Sequence, residues 1–287
     1  MLILATLFWA GNFTIGKFAF IENIHPYSLA FFRWTLVWII LVPFTYKEFP
    51  KIKREVKGNL LLFFILGFTS VGIFSAFTYN ALNHTQVINA SLFNTAIPVS
   101  IILVCFLLKI EKTNIFQILG VILSLIGVLF IITKADVELL KSLDFNKGDL
   151  TMVIAMLSWA TYSALLKKKK YELTQISLLQ VVITFGLLFL VPIYFIEMKM
   201  GYLIKLEKPF YLTLTYVVLF PGLASFFFWI KGIAIIGANR AGIFLHLMPI
   251  FGAVMAMIVF DEKFMFYHFL GAIFIFSGII LSNRKKI

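Results

Sequence analysis

Residues 59–82 read NLLLFFILGFTSVGIFSAFTYNAL, and these twenty-four positions contain no Asp, Glu, Lys or Arg. An α-helix that crosses the roughly 30 Å hydrocarbon core of a bilayer needs about 20 such residues. In lipid the backbone polar groups must be paired within the segment itself, which a helix achieves and an isolated strand does not. This stretch therefore predicts a membrane-spanning helix.

The composition of the whole chain has the same character. Of its 287 residues, 61% are hydrophobic and 13% are charged, and the mean hydropathy is +1.00. A soluble domain averages about 45–50% apolar and about 25% charged residues, so this chain has too few charges to cover a water-soluble core. The composition excludes a cytosolic enzyme, a nucleic-acid-binding module and a disordered protein. The single cysteine, Cys105, excludes an internal disulfide and a cysteine-based metal cluster.

Ten stretches of the chain are long and apolar enough to cross a membrane. They are Leu2–Ile21, Tyr27–Tyr46, Asn59–Leu82, Gln86–Leu108, Ile115–Thr133, Leu150–Leu166, Ile176–Ile196, Phe210–Ile230, Ala241–Phe260 and Phe264–Ser282. The connections between them are short and polar, so we predict an all-α integral membrane protein with ten transmembrane helices. The first stretch lacks a basic n-region, and we expect it to be a retained helix rather than a cleaved signal peptide.

Lys and Arg are distributed unevenly over the connections. Sixteen follow the even-numbered spans or lie in the C-terminal tail, whereas seven follow the odd-numbered spans. Because cytoplasmic loops are enriched in Lys and Arg, this bias places both termini in the cytoplasm of a multi-pass protein of the cell (inner or plasma) membrane. The net charge of +12 is then an orientation signal, and nucleic acid is not an expected partner.

The chain repeats itself at an offset of about 150 residues. Trp9-Ala10 aligns with Trp159-Ala160 at an offset of 150, and Pro98 aligns with Pro249 at an offset of 151. The offset of 151 also aligns Glu111-Lys112 with Glu262-Lys263, Gly120 with Gly271, and Gly127 with Gly278. Five spans precede the second unit, so it must be inverted relative to the first, as in many secondary transporters. We expect units at 1–134 and 149–284 joined by residues 135–148; a duplication retained only for folding is the alternative.

Taken in order, these motifs resemble the drug/metabolite transporter superfamily, EamA type. The resemblance is carried by Trp9-Ala10-Gly11-Asn12 with Lys17, Pro26 followed by Arg33, Pro98 with Glu111, Gly148-Asp149 with Trp159-Ala160, and Pro249 with Glu262. It covers nearly the whole chain as two five-helix units. The resemblance implies a ten-helix exporter of small metabolites, and it does not imply which metabolite.

Pro98 and Pro249 each lie in the middle of a predicted span. Proline lacks a backbone N–H and crowds the carbonyl four residues earlier, which belongs to Asn94 and Leu245 respectively. Either these prolines form packing kinks, which are common in membrane helices, or the freed carbonyls face a substrate cavity. Their equivalent placement in the two units favours the cavity.

Candidate substrate-binding side chains are polar or aromatic residues of the spans, several of them near these prolines. They are Trp9, Asn12, Arg33, Tyr79, Asn94, Thr95, Trp159, Tyr162 and His246. Arg33 and Lys17 lie near the outer ends of their spans. Either their side chains reach the outer surface of the membrane, where Glu22 can pair with one of them, or they bind a carboxylate or phosphate of the substrate. His246 either packs through hydrogen bonds or takes part in substrate binding or proton coupling.

These observations predict a secondary transporter that exports small metabolites by alternating access. An intramembrane enzyme would need a nucleophile–base set or metal ligands, and no motif of that kind occurs in the sequence. We therefore expect no catalytic residue, no metal and no cofactor. A channel, the third alternative, would need a filter or a charged ring. The sequence leaves open whether the substrates are amino acids or similar zwitterions, hydrophobic drugs, or phosphorylated or sugar-type anions, and it leaves the oligomeric state open.

Overall fold

A computed structural model of the chain describes residues 1–85, 87–136, 138, 146–202, 204–260, 263 and 265–284. Within these residues every regular element is helical. The α-helices, numbered in chain order, are α1 (Leu2–Ile21), α2 (Pro26–Thr45), α3 (Phe49–Gly58), α4 (Leu60–Gly67), α5 (Ser75–His84), α6 (Val87–Thr95), α7 (Ile97–Leu107), α8 (Ile115–Ile132), α9 (Lys147–Leu166), α10 (Gln175–Lys199), α11 (Lys208–Val217), α12 (Ser225–Ile236), α13 (Ala238–Gly242), α14 (Met248–Phe260) and α15 (Phe266–Ser282). Most of the expected connection 135–148 lies outside the described residues.

Eight helical runs in the described part of the chain are long and apolar enough to cross a membrane. They are Leu2–Ile21, Pro26–Gly58, Leu60–His84, Ile115–Ile132, Lys147–Leu166, Gln175–Lys199, Lys208–Ile236 and Ala238–Met255. Two further apolar helices, α7 and α15, are shorter. The structure is that of an integral membrane protein, as the sequence predicts, and α1 has the bounds of the first predicted span.

The fourth and ninth predicted spans are interrupted next to Pro98 and Pro249 respectively. The expected helix Gln86–Leu108 is divided into α6 and α7, and Pro98 is the second residue of α7. The expected helix Ala241–Phe260 contains a 3₁₀ segment, Ile243–Leu247, followed by α14, in which Pro249 is again the second residue. Proline suits the first turn of a helix because its missing N–H has no intrahelical partner there. The prolines therefore begin new helices rather than bend continuous ones.

Two other spans contain a π-helical segment at equivalent places. Phe68–Phe74 joins α4 to α5, and Val218–Ala224 joins α11 to α12, at an offset of 150 residues. A π-helical turn is wider than an α-helical turn, and such turns occur frequently at functional sites. In the second segment the carbonyl of Pro221 accepts a hydrogen bond from Trp9 Nε1 at 3.1 Å. The apolar pattern of the sequence predicts helices here and does not distinguish the two helix types.

Helices α8 and α15 pack antiparallel through four glycines. A Cβ atom on Gly120 would lie 2.5 Å from the carbonyl oxygen of Gly278, and one on Gly127 would lie 2.5 Å from that of Gly271. Small residues allow this close approach of membrane helices. The repeat offset of 151 exchanges the two contacts, because it relates Gly120 to Gly271 and Gly127 to Gly278.

The amphipathic helix α3 connects two spans at one end of the bundle, where the sequence analysis expected a short polar connection. Lys169 Nζ lies 2.8 Å from Glu55 Oε2, and Arg54 pairs with Glu172 at 3.0 Å. These contacts join α3 to the connection between α9 and α10. The Arg54–Glu172 pair is solvent-exposed, and such pairs contribute little to stability.

Helices α2 and α10 are antiparallel, and a carboxylate near the end of each meets the start of the other. Glu197, in the last turn of α10, accepts hydrogen bonds from Ser28 N at 2.7 Å, Ser28 Oγ at 2.6 Å and Tyr27 N at 3.3 Å. Glu48, which follows α2, accepts a hydrogen bond from the hydroxyl of Thr174, the N-cap of α10, at 3.2 Å. Negative charge is favourable at both places because a helix N-terminus carries partial positive charge.

Glu111 joins the two halves of the chain. Its carboxylate accepts hydrogen bonds from Ala238 N and Asn239 N, each at 3.0 Å, at the start of α13. In the sequence, Glu111 is marked by its alignment with Glu262 and by its position thirteen residues after Pro98. Backbone N–H groups of the other half are its actual partners, a pairing across 127 residues that local spacing does not reveal. Its repeat counterpart, Glu262, lies outside the described residues.

Candidate functional site

A cavity lies between the helices, and the space between its wall atoms totals about 460 Å³ with the open solvent at its mouth included. Its lining residues come from both halves of the chain and are Trp9, Asn12, Arg33, Phe74, Ser75, Thr78, Tyr79, Asn94, Ile97, Trp159, Leu245 and Met248. Six of the nine candidate binding residues therefore meet at one place: Trp9, Asn12, Arg33, Tyr79, Asn94 and Trp159.

Two tryptophans at equivalent positions of the repeat form an aromatic wall of the cavity. The rings of Trp9 and Trp159 have centroids 5.2 Å apart and an interplanar angle of 87°, an edge-to-face arrangement that is favourable for aromatic pairs. Phe74 adds a third ring, 4.5 Å from Trp159. The indole N–H of Trp9 is used by the Pro221 carbonyl, whereas Nε1 of Trp159 is buried and has no hydrogen-bond partner.

Arg33 brings a positive charge to this cavity. The residue is 3% exposed, its Nη1 donates a hydrogen bond to Tyr79 Oη at 2.8 Å, and Tyr79 Oη donates to Asn12 Oδ1 at 2.9 Å. The guanidinium carbon lies 4.8 Å from the ring centroid of Trp34. Arg33 is thus buried among cavity residues rather than extended to the surface, and it forms no ion pair with any described residue. The side chain of Lys17 lies outside the described residues.

The two helix interruptions reach the cavity wall. Asn94 and Leu245, each four residues before a proline, both line the cavity. Nδ2 of Asn94 lies 3.5 Å from Met248 Sδ, and a thioether sulfur is only a weak acceptor. The residue four positions before each of Pro98 and Pro249 therefore lies at the cavity wall.

The other three candidate residues do not line the cavity. His246 is fully buried, with Nδ1 2.5 Å from Ser124 Oγ and Nε2 2.9 Å from the carbonyl oxygen of Thr95. Both ring nitrogens are occupied, so this geometry fits the packing interpretation of His246. The hydroxyl of Thr95 donates to the Leu92 carbonyl at 2.6 Å. Tyr162 is buried behind the wall, and its hydroxyl has no hydrogen-bond partner.

Sequence reasoning missed five lining residues. They are Phe74, Ser75, Thr78, Ile97 and Met248. Ser75 lies three residues before Thr78 and four before Tyr79 in α5, and positions three and four apart lie on one helix face. That spacing could have identified both polar residues. The three apolar residues carry no such signal, because apolar side chains are common throughout this chain.

The cavity offers hydrogen-bond donors, aromatic surface and one formal charge. None of its lining residues is Asp or Glu. In the described part of the chain, no three His, Cys, Asp or Glu side chains are grouped so that they could hold a metal ion. The arrangement is suited to binding a small molecule by contact and hydrogen bonding.

Known proteins resemble this chain over nearly its whole length. It is 25% identical over 287 residues to the uncharacterized transporter YyaM of Bacillus subtilis (strain 168), covering 99% of this chain and 92% of the relative. It is 25% identical to an uncharacterized transporter of Archaeoglobus fulgidus, covering 100% and 97%. A solved crystal structure superposes with a TM-score of 0.68 at 14% identity, over 97% of this chain and 96% of the other, and it supports the fold alone.

The family comparison covers both halves of the chain. The profile of the EamA-like transporter family matches residues 1–133 and 146–284, which together exceed nine-tenths of the sequence. The two matched segments are separated at the polar connection between the halves. The cavity, the membrane-spanning helices and the relatives' names all agree with a membrane transporter. This chain belongs to the EamA-like transporter family.

Proposed function

We propose that the protein is a secondary transporter that exports small metabolites across the cytoplasmic membrane by alternating access. The observation that carries this proposal is the cavity whose wall contains Trp9 and Trp159, equivalent residues of the two halves. Secondary transporters built from inverted repeats place the substrate where the repeats meet. A rocking motion of one unit against the other would then expose the same cavity to each side in turn.

The proposed architecture is ten spans in two inverted five-helix units, 1–134 and 149–284. The antiparallel contacts of Gly120 with Gly278 and of Gly127 with Gly271 support it, because an inverted repeat must place α8 and α15 in opposite directions. The two π-helical segments at an offset of 150 residues add independent support, since π-helices are rare. In this architecture α6 with α7, and the run from α13 to α14, are the interrupted fourth and ninth spans.

Both termini are proposed to lie in the cytoplasm. Contacts of Glu55 with Lys169 and of Lys167 with the Ala234 carbonyl support a single basic end, where the connections after the second, sixth and eighth spans meet. Enrichment of Lys and Arg marks the cytoplasmic side. Single cysteines at Lys51 and Lys168, in a Cys105→Ser background, should react with an impermeant maleimide in inverted vesicles and not in intact cells. A cysteine at Asn23 should behave oppositely, and labelling of Lys51 and Lys168 from different faces would contradict the topology.

The substrates proposed from the sequence and the family are amino acids or similar compounds, or hydrophobic drugs. Exchange of phosphorylated or sugar-type anions is a second candidate, and the buried Arg33 is the observation that favours an anion. An enzymatic activity is not proposed, because family and relatives are named as transporters.

A transport assay tests the proposed function. Protein reconstituted in liposomes preloaded with a metabolite mixture should take up at least one labelled component by counterflow, read by mass spectrometry. The Trp159→Phe variant should reduce this rate by about tenfold, because an indole N–H and aromatic contact area worth roughly 1.4 kcal/mol are lost. Trp38→Phe is the matched control, since the Trp38 indole donates to Thr184 at an exposed place at 2.9 Å. Absence of counterflow for all compounds, or ionic currents in planar bilayers, would contradict a carrier.

A further inference from the structure

Several hydrogen-bond donors of the cavity lining have no acceptor. Arg33 Nε, Trp159 Nε1 and Thr78 Oγ1 are buried and have no hydrogen-bond partner. The first two are donors only, and the hydroxyl of Thr78 can also donate. A buried donor without an acceptor costs about 1–3 kcal/mol. Three such groups on residues that line the same cavity therefore indicate a ligand that supplies acceptor atoms.

The charge of the cavity indicates the same ligand chemistry. A buried cation without a counter-charge is strongly unfavourable, since desolvation is not offset by attraction. Arg33 has no ion-pair partner among the described residues, and the cavity lining contains no carboxylate. Tyr79 takes up only one of the five guanidinium N–H groups. The remaining donors form a flat surface that suits a two-oxygen anion.

The rest of the lining is apolar or aromatic. Trp9, Phe74, Ile97, Leu245 and Met248 provide this surface. An apolar body in contact with these side chains gains about 25 cal/mol for each Å² of apolar area removed from water. One positive charge beside an apolar surface is complementary to an amphiphilic anion with one negative charge.

We propose that the substrates of this transporter are organic monocarboxylates with an apolar body, whose carboxylate pairs with Arg33 and accepts from Trp159 Nε1 and Thr78 Oγ1. This rests on the proposed transport function and narrows it. Hydrophobic cations are disfavoured by the charge of Arg33. A phosphate dianion would leave one of its charges uncompensated, because Arg33 is the only cation in the cavity lining.

Binding to the purified protein in nanodiscs tests the ligand class without any variant. The probes are 3-phenylpropionate, its neutral amide 3-phenylpropanamide, the cation 3-phenylpropylammonium and the dianion phenyl phosphate, each titrated by calorimetry. We expect 3-phenylpropionate to bind about 10- to 100-fold more tightly than the amide, since hydrogen bonds to charged groups contribute about 1.5–3 kcal/mol. Equal affinity for acid and amide, preference for the cation, or tighter binding of phenyl phosphate would each overturn the proposal.

Variants of Arg33 test the assigned partner. Arg33→Gln should weaken 3-phenylpropionate about 10- to 100-fold and leave the weak binding of the amide unchanged, a difference that a general loss of structure does not produce. Arg33→Lys should retain part of the discrimination, because it keeps the charge and loses the planar fork. The matched control is Arg54→Gln, an exposed arginine on α3, which should bind like the parent protein. Unchanged acid–amide discrimination in Arg33→Gln would overturn the assignment.

Binding and transport distinguish this inference from the proposed function. Carboxylates that bind through Arg33 but show no counterflow would contradict transport and leave the site assignment intact. Counterflow of other compounds, with no carboxylate binding, would contradict the carboxylate class and leave transport intact.

Discussion

Gly278→Ala is expected to lower the free energy of unfolding by about 2–3 kcal/mol, at the upper end of typical overpacking costs. The added Cβ would overlap the carbonyl oxygen of Gly120 and lie 2.7 Å from Ser124 N. Both contacts are with backbone atoms, which cannot rotate away as a side chain can. Helices α8 and α15 would have to separate, and their shared surface would be lost along both.

Gly252→Ala is the matched control for this prediction. Gly252 also lies in a membrane helix, α14, and an added Cβ there would meet nothing within 4 Å. Alanine in an open helix position is favoured over glycine by about 0.5–1 kcal/mol, so the control should melt at or above the parent temperature. Melting of detergent-purified protein, followed by size-exclusion chromatography, measures both. If Gly278→Ala and Gly252→Ala melt at the same temperature, the close contact between Gly120 and Gly278 is wrong.

Glu197→Ala is expected to cost about 2–3 kcal/mol of stability, because a charged acceptor of three hydrogen bonds is removed from the start of α2. Glu197 is 5% exposed, so water does not readily replace it. Tyr27 N and Ser28 N would then lack an acceptor at a helix N-terminus, where four N–H groups have no intrahelical partner. Thermal melting in detergent measures the loss.

Glu48, at the opposite ends of α2 and α10, provides the comparison for Glu197. Glu48 accepts a hydrogen bond from Thr174 in an exposed position, so Glu48→Ala should cost no more than about 0.5 kcal/mol, as surface substitutions usually do. A loss for Glu48→Ala as large as that for Glu197→Ala would show that burial does not decide the strength of these contacts.

The sequence predicted the helices well and their interruptions poorly. The bounds of α1 follow directly from its apolar length, because hydrocarbon thickness fixes how many residues a span needs. The π-helical segment at 68–74 and the division of the fourth predicted span at Ala96 are local changes in hydrogen bonding. Hydropathy does not report them, since the residues stay apolar across each change. The proline at position 98 indicated the second case, and nothing in the residue pattern indicated the first.

The candidate site was predicted in part, and the reasons differ from residue to residue. Trp9 and Trp159 were identified by their equivalent repeat positions, and the cavity brings them together. For Arg33 the sequence left two interpretations open, a side chain at the membrane surface and a side chain that binds substrate. Depth along a helix does not reveal which neighbour the side chain contacts. His246 was assigned to the site, yet its partner Ser124 lies 122 residues away, and only the packed structure supplies that contact.

The two π-helical segments would let the cavity lining rearrange with little loss of backbone hydrogen bonds. A π-helical segment contains one residue more than an α-helix of the same rise. If this extra residue moves along the helix by one turn, the side chains of that turn rotate about the helix axis by about 100°. Phe74 ends the first segment, and Pro221, whose carbonyl holds Trp9, lies within the second. A register change in either segment would turn an aromatic part of the lining away from the cavity while both helices stay folded.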